Sequence, residues 1–167
     1  MTISQYDLRS AATRNFSLKY QQSRSYGQKT GFLCHSHKDR DLALGLQQWL
    51  KEQGMELYID WQDPHMPDLP DGTTADRIRT VIKRAEIFLF LATNDSMSSR
   101  WCPWELGFAD GVKHNEQIAL IPTRDTSGNY YGNEYLHLYR RIDQTTAGNA
   151  LQWFPKGSQS PQNLTSF

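Results

Sequence analysis

Residues 86–92 read Glu-Ile-Phe-Leu-Phe-Leu-Ala, and from Ile87 onward every side chain is apolar. A strand with one wet face alternates apolar and polar residues, whereas an unbroken apolar run marks a strand covered on both faces, as at the centre of a parallel sheet. The run is far shorter than the ~20 residues needed to span a bilayer. Upstream, Thr73 or Thr74 is placed to cap a helix carrying Ile78, Val81 and Ile82. Downstream, a helix is expected from about Cys102 to Lys113, then a strand from Gln117 to Ile121 ended by Pro122.

Further out the alternation continues. Gly31-Phe32-Leu33-Cys34 reads as a buried strand. Asp39 to Gln53 follows as a helix with Leu42, Leu46, Trp49 and Leu50 at helical spacing, stopped by Gly54. Met55 to Ile59 is a second strand, and Asp60 to Gly72, with Pro64, Pro67 and Pro70, must be a loop. The C-terminal part, rich in Gly, Asn, Thr and Pro, has room for one helix near Glu134 to Arg141 and a last strand near Leu151 to Phe154. A weakly periodic helix is expected around Tyr6 to Tyr20.

Strand–helix alternation means an α/β fold, a parallel sheet with helices on both faces. Ligands of such sheets sit beyond the carboxyl ends of the strands, where strand order reverses. For a flavodoxin-like order that point lies between the first and third strands. The segments leaving them are Cys34-His35-Ser36-His37 and Thr93 to Glu105.

Composition narrows the function. With 167 residues the chain has room for one domain and short tails. Eighteen basic and eighteen acidic residues cancel, so bulk charge recruits neither nucleic acid nor an anionic membrane. The head of the chain is locally basic, with Arg9, Arg14, Lys19, Arg24 and Lys29 and no acid from 8 to 29. That composition is shared with mitochondrial transit peptides, but a polar extension folding onto the domain or onto a partner is the expectation. Two cysteines, Cys34 and Cys102, are no disulfide framework and fit a reduced, cytoplasmic protein. Cys34-His35-Ser36-His37 has zinc-ligand chemistry, yet only Cys102 is at hand to complete a site, so no metal is expected. No Gly-x-Gly-x-x-Gly or P-loop occurs.

Three blocks resemble the TIR (Toll/interleukin-1 receptor) domain in its bacterial form. Gly31-Phe32-Leu33-Cys34-His35-Ser36-His37-Lys38-Asp39 is similar to the family's strand-A signature, with Cys34 where a serine is usual. Tyr58-Ile59-Asp60-Trp61, leading into the Pro-rich stretch, is similar to the segment after strand B. Ser98-Ser99-Arg100-Trp101-Cys102-Pro103-Trp104-Glu105-Leu106-Gly107 resembles the family's Ser-x-Trp-Cys-x-x-Glu block.

The resemblance implies a flavodoxin-like three-layer fold with a central, mostly parallel five-stranded sheet. The domain would span 30–155, between a basic extension (1–29) and a C-terminal tail (156–167). It further implies cleavage of NAD, as substrate and not cofactor, through Glu105. Substrate contacts would come from Phe32, His35, Asp60, Trp61 and Trp101. TIR–TIR association into homo-oligomers would complete the site, and an effector would sense an ADP-ribose-type product in antiphage defence, as in Thoeris-like systems.

The chemistry needs few groups. Nicotinamide departs as a neutral molecule, so no general acid is required, and the barrier lies in positive charge building on the ribose. One carboxylate beside the sugar can stabilise that charge. An indole nearby can stack on nicotinamide or keep water away, which also permits cyclisation.

Read from the residues alone, Glu105 has a second role open to it: an acid shortly after Pro103 favourably meets the helix dipole. Trp104, continued by Phe108 and Val112 at i+4 spacing, reads as core. The rival to an enzyme is a non-catalytic TIR interaction module. An adaptor has no chemical need of Glu105 together with Trp101, which favours the enzyme.

Overall fold

The computed structural model describes residues 2–15, 29–67, 71–135, 137–145 and 150–164. Its elements are β1 (Ile3–Ser4), α1 (Gln5–Asn15), β2 (Lys29–Cys34), α2 (Arg40–Glu52), β3 (Met55–Tyr58), α3 (Gly72–Arg84) and β4 (Ile87–Ala92). They continue with α4 (Asn94–Met97), α5 (Trp101–Val112), β5 (Ile118–Arg124), β6 (Tyr130–Tyr131), β7 (Arg140–Gln144), β8 (Leu151–Phe154) and β9 (Gln162–Asn163).

The sheet runs β3-β2-β4-β5-β7-β8-β9. From β3 to β7 every neighbouring pair is parallel, while β7–β8 and β8–β9 are antiparallel. Strand order therefore reverses between β2 and β4, as the flavodoxin-like reading requires. Period-two alternation sorts the two central strands. Leu33, Leu89 and Leu91 face a core shared with Leu42, Leu46 and Trp49 of α2. Phe32, Cys34, Phe88 and Phe90 face the other core, with Ile78 and Ile82 of α3 and Cys102 and Leu106 of α5. The whole of β4 is buried, in keeping with its apolar run.

Four expectations need correction. The cap of α3 is Asp71, whose carboxylate accepts from Thr74 N while its own N–H donates to Thr74 Oγ1; Thr74 thus sits inside the helix, in a capping box. Pro122 does not end β5, which runs on to Arg124 with Pro122 in register with Ala92. Beyond that point β1 and β6 flank the strand, pairing with Thr123 and Arg124 on opposite edges.

The helix expected near Glu134 to Arg141 is an isolated turn, in which Tyr139 N donates to Tyr135 O, followed by β7. The polar sequence of β7 hides a strand because its arginines are carried by the next strand's aromatic faces. The Arg140 guanidinium lies 4.2 Å over Trp153, and that of Arg141 lies 4.2 Å over Phe154. The fifth parallel strand is thus β7, and the strand at 151–154 is antiparallel to it.

Trp104 is the fourth correction. Helix α5 buries Cys102, Glu105, Leu106 and Ala109, so Trp104 and Phe108 lie at its edge, half-buried, and Val112 is exposed. The Arg79 guanidinium covers the Trp104 ring at 5.1 Å.

The polar head of the chain joins the sheet. Ile3 pairs with Thr123, Gln5 Nε2 donates to Thr123 Oγ1 at 3.0 Å, and Leu8 and Ala11 are buried in the α2-side core. Of the helix expected around Tyr6 to Tyr20, the part beyond Asn15 lies outside the described residues.

Candidate active site

Three segments leave the carboxyl ends of β2, β3 and β4, and polar side chains bind them to one another. After β2, Ser36 Oγ accepts from Lys38 N and starts a single 3-10 turn, His37–Asp39. After β3, a second 3-10 turn, Asp60–Gln62, projects Asp60 and Trp61 toward the first. His37 Nε2 meets Asp60 Oδ2 at 2.8 Å, and Trp61 Nε1 donates to His35 Nε2 at 3.0 Å. After β4, Thr93 caps α4 and donates its hydroxyl to buried Asp39. Arg40 lies 4.9 Å over the Trp61 ring, holding the indole from its other side.

His35 is buried, and its two nitrogens have different partners. Nε2 accepts from Trp61, so Nδ1 carries the proton and faces the Leu33 carbonyl at 3.2 Å. Burial lowers its pKa, against the pull of Asp60, so the ring is neutral near pH 7. Its 3.8 Å approach to Asp60 is therefore not an ion pair. His37 behaves in the opposite way, because its bond to Asp60 raises its pKa and favours imidazolium. Burial alone would raise the pKa of Asp60, but the bond from His37, its positive charge and the Trp61 backbone N–H outweigh it and hold it low.

Glu105 is 6 % exposed and lies on the inward face of α5. The helix begins at Trp101, so Glu105 stands in the second turn and not in the first, which removes the dipole reading offered above. Its neighbours are the thiols of Cys34 and Cys102, with Asp60 close enough to add negative field. Burial first, then the negative character of Cys102, raises its pKa well above the ordinary carboxylate range. Cys34 Sγ also donates to the Cys102 carbonyl at 3.7 Å, tying β2 to the first turn of α5.

The rim thus gathers His35, Asp60 and Trp61 in direct contact, with Glu105 beside Cys34 and Cys102. Trp101, 36 % exposed, packs edge-on against Trp104 at 5.4 Å on the outer side of α5. Phe32 lies lower, sealed between Tyr58 and Phe88 in the core. Sequence reasoning weighed His37 and Cys102 as zinc ligands, and it did not single out Arg40.

Asp63 was also not anticipated as an anchor. It accepts from Tyr58 Oη at 2.7 Å, Arg77 Nε at 2.9 Å and His65 N at 2.9 Å, fixing the start of the Pro-rich loop to β3 and α3. A groove of about 430 Å³, lined by Lys29, Ile87, Gln117, Arg140 and Trp153, opens at the opposite, amino edge of the sheet and holds none of these site residues. Among the described residues no group of three His, Cys, Asp or Glu side chains could hold a metal ion. Nor is any described helix long and apolar enough to cross a membrane.

The TIR domain family model matches residues 32–152, which runs from within β2 to within β8 and includes every residue of this rim. The chain belongs to the TIR domain family. A relative of this TIR domain from Bacillus cereus (strain MSX-D12), named probable 3' cyclic ADP-D-ribose synthase ThsB', is 33 % identical over 125 residues. The alignment covers 72 % of this chain and 64 % of that protein, so the TIR domain described here spans less than two thirds of its relative's length.

Proposed function

We propose that this TIR domain cleaves NAD at its nicotinamide–ribose bond, with Glu105 as the catalytic carboxylate, and closes the ADP-ribose remnant into a cyclic product. The observation that carries the proposal is Glu105 itself, the one acid on the buried stripe of α5, held at the switch point of the sheet. A helix that only packs would place an apolar residue there. The synthase named in the Bacillus cereus relative supports the substrate and favours ring closure over hydrolysis.

The raised pKa of Glu105 fits a cationic substrate. Burial makes the carboxyl keep its proton to higher pH than an ordinary glutamate while the site is empty. The nicotinamide ring of NAD carries positive charge, and its arrival favours the carboxylate, releasing the proton to solvent. The carboxylate then faces the charge that moves onto the ribose as nicotinamide departs, in a medium of low dielectric where the attraction is strong. His35, neutral and locked in one tautomer, and Trp61 form the polar wall beyond it. Exclusion of water by the bound substrate lets a substrate hydroxyl capture the sugar cation. The same reading has the domain act as a homo-oligomer in the cytoplasm, its product sensed by an effector in antiphage defence.

The experiment incubates concentrated protein with NAD, follows nicotinamide by chromatography and identifies the second product by mass, with Glu105→Gln and Glu105→Ala in parallel. Nicotinamide with a cyclic ADP-ribose mass from the native chain alone supports the proposal. Equal release by all three proteins removes Glu105 from the mechanism, and no release at any concentration leaves the interaction module.

A further inference from the structure

The native chain has just two cysteines, and both belong to the same spot. Cys34, at the end of β2, and Cys102, in the first turn of α5, are far apart in sequence, and both are buried. Cys34 Sγ reaches the Cys102 carbonyl at 3.7 Å, the Cys34 thiol lies within hydrogen-bonding reach of the Cys102 thiol and of the Glu105 carboxyl, and Cys102 is near enough to Glu105 to act on its charge. Two cysteines brought together at the sheet's switch point have no packing need for sulfur. Small apolar side chains would fill the same space.

We propose that Cys34 and Cys102 are a redox modification site, closing to an intramolecular disulfide beside Glu105 under a peroxide oxidant and thereby lowering NAD cleavage. The regulatory half of this inference rests on the function proposed above; the disulfide itself does not.

The two sulfurs have unequal roles. Cys102 sits among the free amides at the start of a helix, where a thiolate is favoured, and the Cys34 thiol and Ser99 add hydrogen bonds that lower its pKa despite burial. Burial raises the pKa of Cys34 and keeps it a thiol. The Cys102 thiolate attacks one peroxide oxygen; an S–O bond forms, the O–O bond breaks and hydroxide leaves. Cys34 sulfur then attacks Cys102 Sγ, the S–S bond forms, the S–O bond breaks, and the departing hydroxide takes the Cys34 proton. Two thiols and one hydrogen peroxide give one disulfide and two waters; the sulfurs lose two electrons and the peroxide gains them.

Burial selects the oxidant. Peroxide is close to water in size and enters when the first turn of α5, marked by half-exposed Trp101, opens. Bulky disulfides cannot follow. Closing the bond to about 2.05 Å draws that turn onto β2 and removes the S–H that faces Glu105.

The test treats the full chain with hydrogen peroxide, denatures it in an alkylating agent without reductant, and maps peptides by mass. Expected are a Cys34–Cys102 cross-linked peptide lighter by two hydrogens, an about tenfold or greater loss of nicotinamide release, and recovery of both with dithiothreitol. Cys34→Ser and Cys102→Ser should give no cross-link, and Cys102→Ser, which lacks the attacking thiolate, should keep after peroxide the rate it had before. Two freely alkylated cysteines after peroxide overturn the site. A cross-link formed with unchanged NAD cleavage overturns the regulation. A reduced native chain that releases no nicotinamide refutes the NAD reading, while the cross-link, read by mass alone, still decides whether the site exists.

Discussion

Trp61 donates its indole N–H to Nε2 of His35 at 3.0 Å, and this one bond joins the segments that leave β2 and β3. It also fixes a tautomer. Trp61→Phe keeps a ring for Arg40 to cover but leaves a buried acceptor without its donor, at an expected cost of about 1–2 kcal/mol. For a domain of this size that lowers Tm by roughly 2–8 °C. Nitrogen-15 NMR of the imidazole should report the proton on Nδ1 in the native chain and a mixture of tautomers in the variant. Because the folded His35 resists protonation, its contribution to stability falls as pH drops below 6.5, where the unfolded ring takes up a proton first.

Glu105 gives the opposite pH signature to an ordinary paired carboxylate. Its pKa is raised in the fold, so the unfolded chain loses this proton first as pH climbs past 4.5. Stability therefore decreases from there through the folded pKa. Glu105→Gln removes that penalty. Its Tm advantage over the native chain should grow as pH rises above 4.5, while NAD cleavage falls on the order of 100-fold or more. Thermal melts across that range decide the first half; parallel Tm curves would show a carboxylate that ionises freely and is not held as described.

How much of this was legible beforehand differs by element. The run from Ile87 to Ala92 announced a doubly covered strand because burial on both faces leaves a mark in composition. Strand β7 left none: its arginines owe their place to Trp153 and Phe154, partners ten or more residues away. Glu105 could be found because a resemblance carried it, but its depth could not, since the start of α5 at Trp101 sets which face the residue takes. The His37–Asp60 pair and the meeting of Cys34 with Cys102 depend on the strand order itself, which residue spacing alone does not encode.

Asp63 anchors the loop that carries the rim's third-strand face, and its carboxylate is only 4 % exposed. Burial would raise its pKa, but the bonds from Tyr58, His65 and Arg77 bring it down to about 2. The stability it adds is complete above 3.8 and is lost as pH falls toward 2. Asp63→Asn should cost about 1–2 kcal/mol near neutral pH and make acid unfolding shallower below about pH 4. Urea midpoints at neutral and acid pH measure both. A KM for NAD that rises more than kcat falls would place the effect in the positioning of Asp60 and Trp61.

Gly45, in the middle of α2, tests whether the polar head of the chain belongs to the domain. In an exposed helix interior Gly→Ala stabilises by about 1 kcal/mol. Here a Cβ on Gly45 would lie 1.9 Å from the Leu8 carbonyl oxygen and 2.6 Å from its carbon, atoms of the α1 backbone that no rotamer can move aside. Gly45→Ala must therefore push α1 off α2 and uncover Leu8 and Ala11, with an expected net loss of about 2 kcal/mol or more. Leu8→Ala, which leaves the close approach intact and removes only a buried side chain, should cost about 2–5 kcal/mol. Hydrogen exchange separates the causes: Gly45→Ala should release the amides of α1 and the β1–β5 pairing while those of β2 and β4 stay protected. If Gly45→Ala instead raised Tm as a solvent-facing glycine would, the packing of α1 on α2 would be wrong.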